Sequence, residues 1–324
     1  MKALVTGATG FVGGHLVELL QRHGDEITAL IRSPYKAGPH LQSNVRLIHG
    51  GLHDADVLAQ AVEGQDVVYH VAGLIAARSE AEFMRGNRDG TASLLAAAER
   101  SASRPRFVLV SSLAAGGPSE RGRPLEGDEP PRPVSQYGHS KLAAEQVVRN
   151  GSLPWAIVRP PVVYGPRDRE VLKVFRLVRT GIAPVFGDGR QEISTIYALD
   201  LAAALRAVAV TPSATGIYFA CDPAWTTTTG LVEEVGRAVG KRVRTVSVPQ
   251  PLARAVLGVT GFTARLAGQA TLLTPDKANE FFAPAWTGDP ARLTRDTGWT
   301  AEYNLASGIR ATAQWYREAG WLKG

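Results

Sequence analysis

Along the first half of the chain, short apolar runs rich in β-branched residues alternate with longer stretches whose apolar positions recur at helical spacing. The runs are KALVT (2–6), EITALI (26–31), VRLIH (45–49), DVVYH (66–70), RFVLVS (106–111) and WAIVR (155–159). Each is almost continuously apolar, as strands are when both faces of their sheet are covered. Helical spacing fills 11–23, 54–63, about 80–101 and 136–149. Strands and helices alternating at these lengths predict an α/β fold on a doubly wound parallel sheet. The proline- and arginine-rich stretch at 122–135 reads as a surface loop leading into the last of these helices. The chain has no internal repeat and no low-complexity tract.

The first run opens onto TGATGFVGG (6–14), which spaces Gly7, Gly10 and Gly13 three apart between a strand and a helix. Gly7 allows the tight turn, Gly10 lets a pyrophosphate approach the backbone, and Gly13 lets the helix pack closely on the strand. Thr9, Phe11 and Val12 share the turn and the helix start, where free N–H groups and the positive dipole end face the phosphates. This context predicts a Rossmann-type dinucleotide site. A carboxylate ending the second strand would bind the adenine ribose 2′-OH and favour NAD. Here the strand runs into Arg32, Ser33 and Lys36, while Asp25 and Glu26 lie at its other end. Cations there suit a 2′-phosphate, so NADP is expected, with NAD possible if Arg32 only stacks on adenine.

Composition narrows the partners. The chain has 324 residues, 44% hydrophobic and 20% charged, as in a globular protein with a sizeable core. Its net charge is +6, yet Lys and Arg are scattered without interleaved aromatics, so no nucleic-acid partner is expected. Cys221 is the sole cysteine, which rules out an internal disulfide and fits a reducing, cytoplasmic location. No leader pattern precedes the first strand, so secretion is not expected. The seven histidines show no metal-ligand spacing and are read as structural or surface groups. No Gly-x-Ser-x-Gly elbow supports a hydrolase.

Tyr137 and Lys141 stand one helical turn apart in SQYGHSK (135–141). Ser111 and Ser112 end the fifth strand, where open α/β sheets bind ligands, and Asn87 lies on the helix before it. Further markers are H-V-A-G at 70–73, N-x-x-G-T at 87–91, R-P-P-x-V-Y-G-P at 159–166 and G-D-G at 187–189. In this order the set resembles the extended short-chain dehydrogenase/reductase family, the branch with nucleotide-sugar epimerases, dihydroflavonol reductases and hydroxysteroid dehydrogenases. A ketone accepting hydride needs a proton donor and a second hydrogen bond for its oxygen. The resemblance gives these roles to Tyr137 and Ser112, the latter better placed than Ser111 by its spacing to Gly117. It implies that Lys141 lowers the tyrosine pKa, together with the nicotinamide charge, and holds the nicotinamide ribose. Asn87 then supports the site, or caps and packs. Further cofactor contacts are implied at Leu52, Val71, Ala72, Gly73, Pro160, Val162 and Val163.

The chain also departs from the family pattern. Gly51 stands where an acid often approaches adenine, and SSLAAGG lacks the acid of nucleotide-sugar dehydratases. Ile193 occupies the position of an arginine that binds sugar diphosphates in many relatives, with Arg190 as a possible substitute. The expected division is a dinucleotide-binding domain over 1–165 with a returning segment near 191–222. A smaller C-terminal substrate-binding region then covers 166–190 and 223–324. Leu252, Val256, Val259, Phe262 and Leu266 share one helical face, with Arg254 and Arg265 opposite. Such a stripe packs on its own domain more often than on a membrane, and its uncharged run is too short to span one. With Ile193 it points to a hydrophobic small-molecule substrate, a sterol-, lipid- or flavonoid-like ketone or secondary alcohol. The alternatives are a nucleotide-sugar epimerase with tightly bound NAD and an NADP-binding redox sensor. Leu94, Leu95, Ala98, Leu142, Val147 and Val148 offer apolar surface on two helices, and the resemblance implies a homodimer through a four-helix bundle.

Overall fold

The computed structural model describes residues 1–33, 38, 41, 44–267, 270, 271 and 274–322, except the side chains of 262 and 264–266. Lys36 therefore lies outside the described residues, as do the side chains of Phe262, Arg265 and Leu266. The six apolar runs form β1 (Lys2–Thr6), β2 (Glu26–Ile31), β3 (Val45–His49), β4 (Val67–His70), β5 (Arg106–Val110) and β6 (Trp155–Arg159). A seventh strand, Gly216–Phe219, joins the edge beside β6. It is four residues long, and its apolar signal is too brief to read in isolation. The sheet order is Gly216–Phe219, β6, β5, β4, β1, β2, β3, with every pair parallel. The chain order reverses about β1, so a crevice opens beyond the strand ends between β1 and β4.

Consecutive residues Ala3, Leu4 and Val5 are all fully buried, because helices cover both faces of the sheet. On one face, α1 (Phe11–Arg22) and the helix Ala198–Val210 pack Leu16, Leu20, Leu205 and Val208 against Val5, Tyr69 and Val108. On the other, the helices Ala55–Val62, Gly90–Arg100 and Gln136–Arg149 bring Leu58, Leu94 and Ala144 onto Leu4, Val68 and Leu109. A separate cluster of Tyr164, Phe175, Val185, Val235, Ile309 and Tyr316 forms the core of the later part of the chain.

Three expectations change in the structure. The stretch expected as one helix at about 80–101 is an α-turn (Glu80–Phe83), a π-helical turn (Met84–Asp89) and the α-helix Gly90–Arg100. The stripe Leu252, Val256, Val259 faces outward, 57%, 52% and 64% exposed, whereas the helix Gln250–Leu266 buries Ala253 and Leu257. That helix is thus seated through the adjoining strip, and the stripe does not pack on its own domain. Leu94, Leu95, Ala98 and Val148 are buried within the single chain, leaving Leu142 and Val147 half-buried. No helix among the described residues is long and apolar enough to cross a membrane.

Candidate active site

The glycine turn is shaped by close approach. Gly7 has φ +73°, and a Cβ there would lie 2.7 Å from the backbone nitrogen of Ala72 just past β4. A Cβ on Gly13 would sit 2.1 Å from the Gly7 carbonyl oxygen, so α1 packs on the turn only with glycine at that place. Gly10 is exposed at the N-cap of α1, which has no side-chain cap and no acidic residue in its first turn. Uncapped N–H groups on an acid-free helix start fit a pyrophosphate. Thr9, Phe11 and Val12 are half-buried around this turn, and Val71, Ala72 and the exposed Gly73 border it across the crevice. Arg32 follows β2 at the same edge of the sheet, with its side chain in solvent. Leu52, past β3, packs against Gly90. Pro160 is buried and accepts the Leu113 N–H at 2.9 Å, while Val163 is half-buried and Val162 exposed.

Ser135 caps the helix Gln136–Arg149 by accepting the Gly138 N–H at 3.0 Å. A Cβ on Gly138 would stand 2.5 Å from the Ala114 carbonyl oxygen, so this glycine lets the helix start meet the turn after β5. Ser112 caps that turn through the Ala114 N–H and forms a side-chain hydrogen bond with Tyr137. One turn further on, buried Lys141 Nζ donates to the Val110 carbonyl at 2.7 Å. A Cβ on Gly73 would meet both Asn87 Oδ1 (3.2 Å) and Lys141 Nζ (3.4 Å), which places all three at one point of the crevice. Asn87, carried on the π-helical turn, accepts the Leu74 N–H at 2.7 Å and donates to the Leu74 carbonyl and to Ser140 Oγ. Ser112, Tyr137, Lys141 and Asn87 thus converge at the strand ends.

Burial dominates the electrostatics of Tyr137 and Lys141. Burial pushes Tyr137 up to about 12; its hydrogen bond with Ser112 opposes the rise and the negative charge of Glu280 adds to it. The Lys141 ammonium is directed to the Val110 carbonyl, and burial outweighs the groups that lower the tyrosine. Burial lowers Lys141 itself to about 8, against the pull of Glu145. In the protein chain Tyr137 is therefore a phenol at neutral pH.

The sequence profile of the NAD dependent epimerase/dehydratase family matches residues 3–219, from the first strand of the sheet to the last. The chain belongs to this family. It is 33% identical over 321 residues to a ceramide reductase of Caulobacter vibrioides, covering 98% of this chain and 95% of the relative. It is 30% identical to a 2-alkyl-3-oxoalkanoate reductase of Stenotrophomonas maltophilia, covering 96% of this chain and 98% of the relative. In fold it is similar to the Thermus thermophilus UDP-glucose 4-epimerase solved with NAD, with a TM-score of 0.80 at 23% identity, covering 98% and 100% of the two chains.

Sequence reasoning missed three groups around this family site. Behind Lys141, Glu145 is fully buried and takes two hydrogen bonds from Arg159, at 2.8 and 2.6 Å, and one from Ser111 at 2.5 Å. The four-residue spacing of Tyr137, Lys141 and Glu145 was the available signal. His70, read as structural, links β1 to the π-turn. Thr91 donates to the Asn87 carbonyl, so His70 Nε2 donates to Thr91, and Nδ1 accepts from Thr6, whose oxygen accepts the Ala72 N–H. Burial, with Lys141 nearby, lowers His70 to about 3 and keeps it neutral. The third group is the segment Pro275–Phe281, which covers Tyr137 from the C-terminal side. Lys277 Nζ lies 5.0 Å from the centre of the tyrosine ring, and Asp276 accepts the Gln136 N–H at 2.8 Å.

Ile193 is buried in a short strand between Thr226–Thr227 and Ala285–Trp286, while Arg190 is exposed. The expected arginine position therefore presents no cation.

Proposed function

We propose that this chain is an NAD(P)-dependent oxidoreductase of the extended short-chain dehydrogenase/reductase type. It moves a hydride between a nicotinamide and a hydrophobic ketone or secondary alcohol of sterol-, lipid- or flavonoid-like character. The observation that carries this reading is a protonated Tyr137 hydrogen-bonded to Ser112 at the end of β5, one turn from buried Lys141. When bound, the nicotinamide supplies or accepts the hydride. In reduction, Ser112 donates a hydrogen bond to the substrate carbonyl oxygen as charge develops there, and Tyr137 delivers the proton that completes the alcohol. The Lys141 ammonium stabilises the tyrosinate left behind. Asn87 positions the helix by bridging Leu74 and Ser140.

Gly7, Thr9, Gly10, Phe11, Val12 and Gly13 would hold the pyrophosphate. Leu52, Val71, Ala72, Gly73, Pro160, Val162 and Val163 would flank the rings, and Lys141 the nicotinamide ribose. Solvent-facing Arg32 after β2, with no acid in its place, supports NADP over NAD. The reductase names of two relatives, one of an alkyl-bearing substrate, and the uncharged Ile193 position support an apolar ketone. A division into cofactor- and substrate-binding regions, a homodimer and a cytoplasmic location complete the reading; the dimer rests on resemblance, given the burial of Leu94, Leu95, Ala98 and Val148.

The test is thermal stabilisation by NADP and by NAD, then by two ligand panels on the loaded protein. Stronger stabilisation by NADP, and by sterol-, flavonoid- or acyl-type ketones over nucleotide diphosphate sugars, is expected. Tightly co-purifying NAD with stabilisation confined to nucleotide sugars would replace this reading with the epimerase.

A further inference from the structure

The helix Gln250–Leu266 is seated on the protein through Ala253 and Leu257, and the rest of its described circumference is open. At 3.6 residues per turn the exposed arc runs from Val256 through Leu252, Val259, Ala255 and Gly258 to Arg254. A Cβ on Gly258 would meet nothing within 4 Å, so this arc is bare. The strand leading into the helix, Arg244–Val248, pairs with Ile182–Phe186, and there Ile182, Pro184 and Val246 are exposed as well. Exposed apolar residues are ordinary when scattered singly, but a cluster on adjoining elements marks a surface that meets an apolar partner.

Charge narrows that partner. Residues 235–275 contain no Asp or Glu, and their six Lys and Arg carry a charge equal to the net +6 of the whole chain. Arg237 is paired with Glu234. Lys241, Arg242, Arg244 and Arg254 are exposed, and none of them forms an ion pair among the described residues. A partner that suits this face is therefore apolar within and anionic at its surface. Nucleic acid offers the phosphates but nothing for the apolar stripe. A second copy of the chain, paired about a two-fold axis, would set these cations against the same cations.

We propose that this face docks the protein on an anionic lipid bilayer. The helix Gln250–Leu266 lies in the headgroup layer, with Leu252, Val256 and Val259 toward the acyl chains and the cations against lipid phosphates. Arg254 leaves the other flank of the arc, where its apolar stem lies along the interface and its guanidinium stays among the headgroups. At 17 residues the helix lies on the membrane and does not span it. It also packs on Pro275–Phe281, the segment over Tyr137, so the docked face adjoins the candidate active site. The inference holds whatever reaction that site performs, because docking is measured without substrate.

The experiment is co-sedimentation of the full chain with vesicles of phosphatidylcholine alone and of phosphatidylcholine mixed equally with phosphatidylglycerol. Wild type should bind the mixed vesicles at least about tenfold more tightly, since each Lys or Arg at an anionic surface is worth roughly fivefold. Added salt should weaken that binding. In Lys241→Ser/Arg242→Ser/Arg244→Ser/Arg254→Ser the preference for anionic lipid should fall to about twofold or less. Leu252→Gln/Val256→Gln/Val259→Gln should bind the mixed vesicles about tenfold or more weakly, with an unchanged melting temperature. Val259→Glu, at the most exposed of the three positions, is the single-residue check and should weaken binding by at least about fivefold. Undiminished binding in both stripe variants overturns the proposal, as does equal affinity of wild type for the two vesicles or failure to bind either. Sedimentation showing a wild-type dimer that the stripe variant dissociates assigns the face to a second copy, and also overturns it.

Discussion

Burial holds the Lys141 ammonium at a pKa of about 8, whereas Tyr137 keeps its proton to about 12. Between neutrality and about pH 10, the group that changes charge is therefore the lysine. It is an ammonium below about 8 and neutral above, so the support it gives the tyrosinate is lost as pH rises. Values of kcat/KM for ketone reduction should fall with one proton through pH about 8, since this ratio reports groups of the free enzyme. A profile flat to about pH 10 would remove Lys141 charge from the rate. Tyr137 and Lys141 were legible in the sequence because one helical turn joins them. Glu145 with Arg159, and Glu280 with Lys277 over Tyr137, were not. Glu145 and Arg159 come from separate elements, and although Lys277 and Glu280 stand three residues apart, only folding lays Lys277 over Tyr137.

At the scale of elements, patterning located the six long strands and the helix Gln136–Arg149 to within a residue. Continuous apolar runs and helical spacing are local signals, and they survive folding. The π-helical turn Met84–Asp89 was hidden because its residues keep helical composition while Asn87 is turned to Leu74 and Ser140. The helix Gln250–Leu266 shows the opposite failure, a correct amphipathic period with the burial assigned to the wrong strip. Replacing Leu252, Val256 and Val259 by Gln should each change stability by about 0.5 kcal/mol or less, as exposed positions do. Leu257→Ala should cost about 2–5 kcal/mol, because Leu257 is buried. Urea unfolding of the four variants checks the order. Equal losses at both strips would mean that the stripe is covered in solution.

For the whole molecule, the alternation of strands and helices predicted the parallel sheet, whereas the strand order and its reversal about β1 come from the structure. The later core around Phe175 and Tyr316 was hardly legible, because it joins residues far apart in the chain through short strands and aromatic contacts. The segment Pro275–Phe281 returns from that part of the chain to lie on the tyrosine. The central claim is that Tyr137 protonates an apolar ketone as hydride arrives. Its most direct test follows oxidation of the reduced nicotinamide by absorbance when wild type and Tyr137→Phe meet the same ketone. Turnover in Tyr137→Phe should drop by roughly a hundredfold or more, while cofactor affinity stays at the wild-type level. Equal turnover in the two proteins would contradict the account.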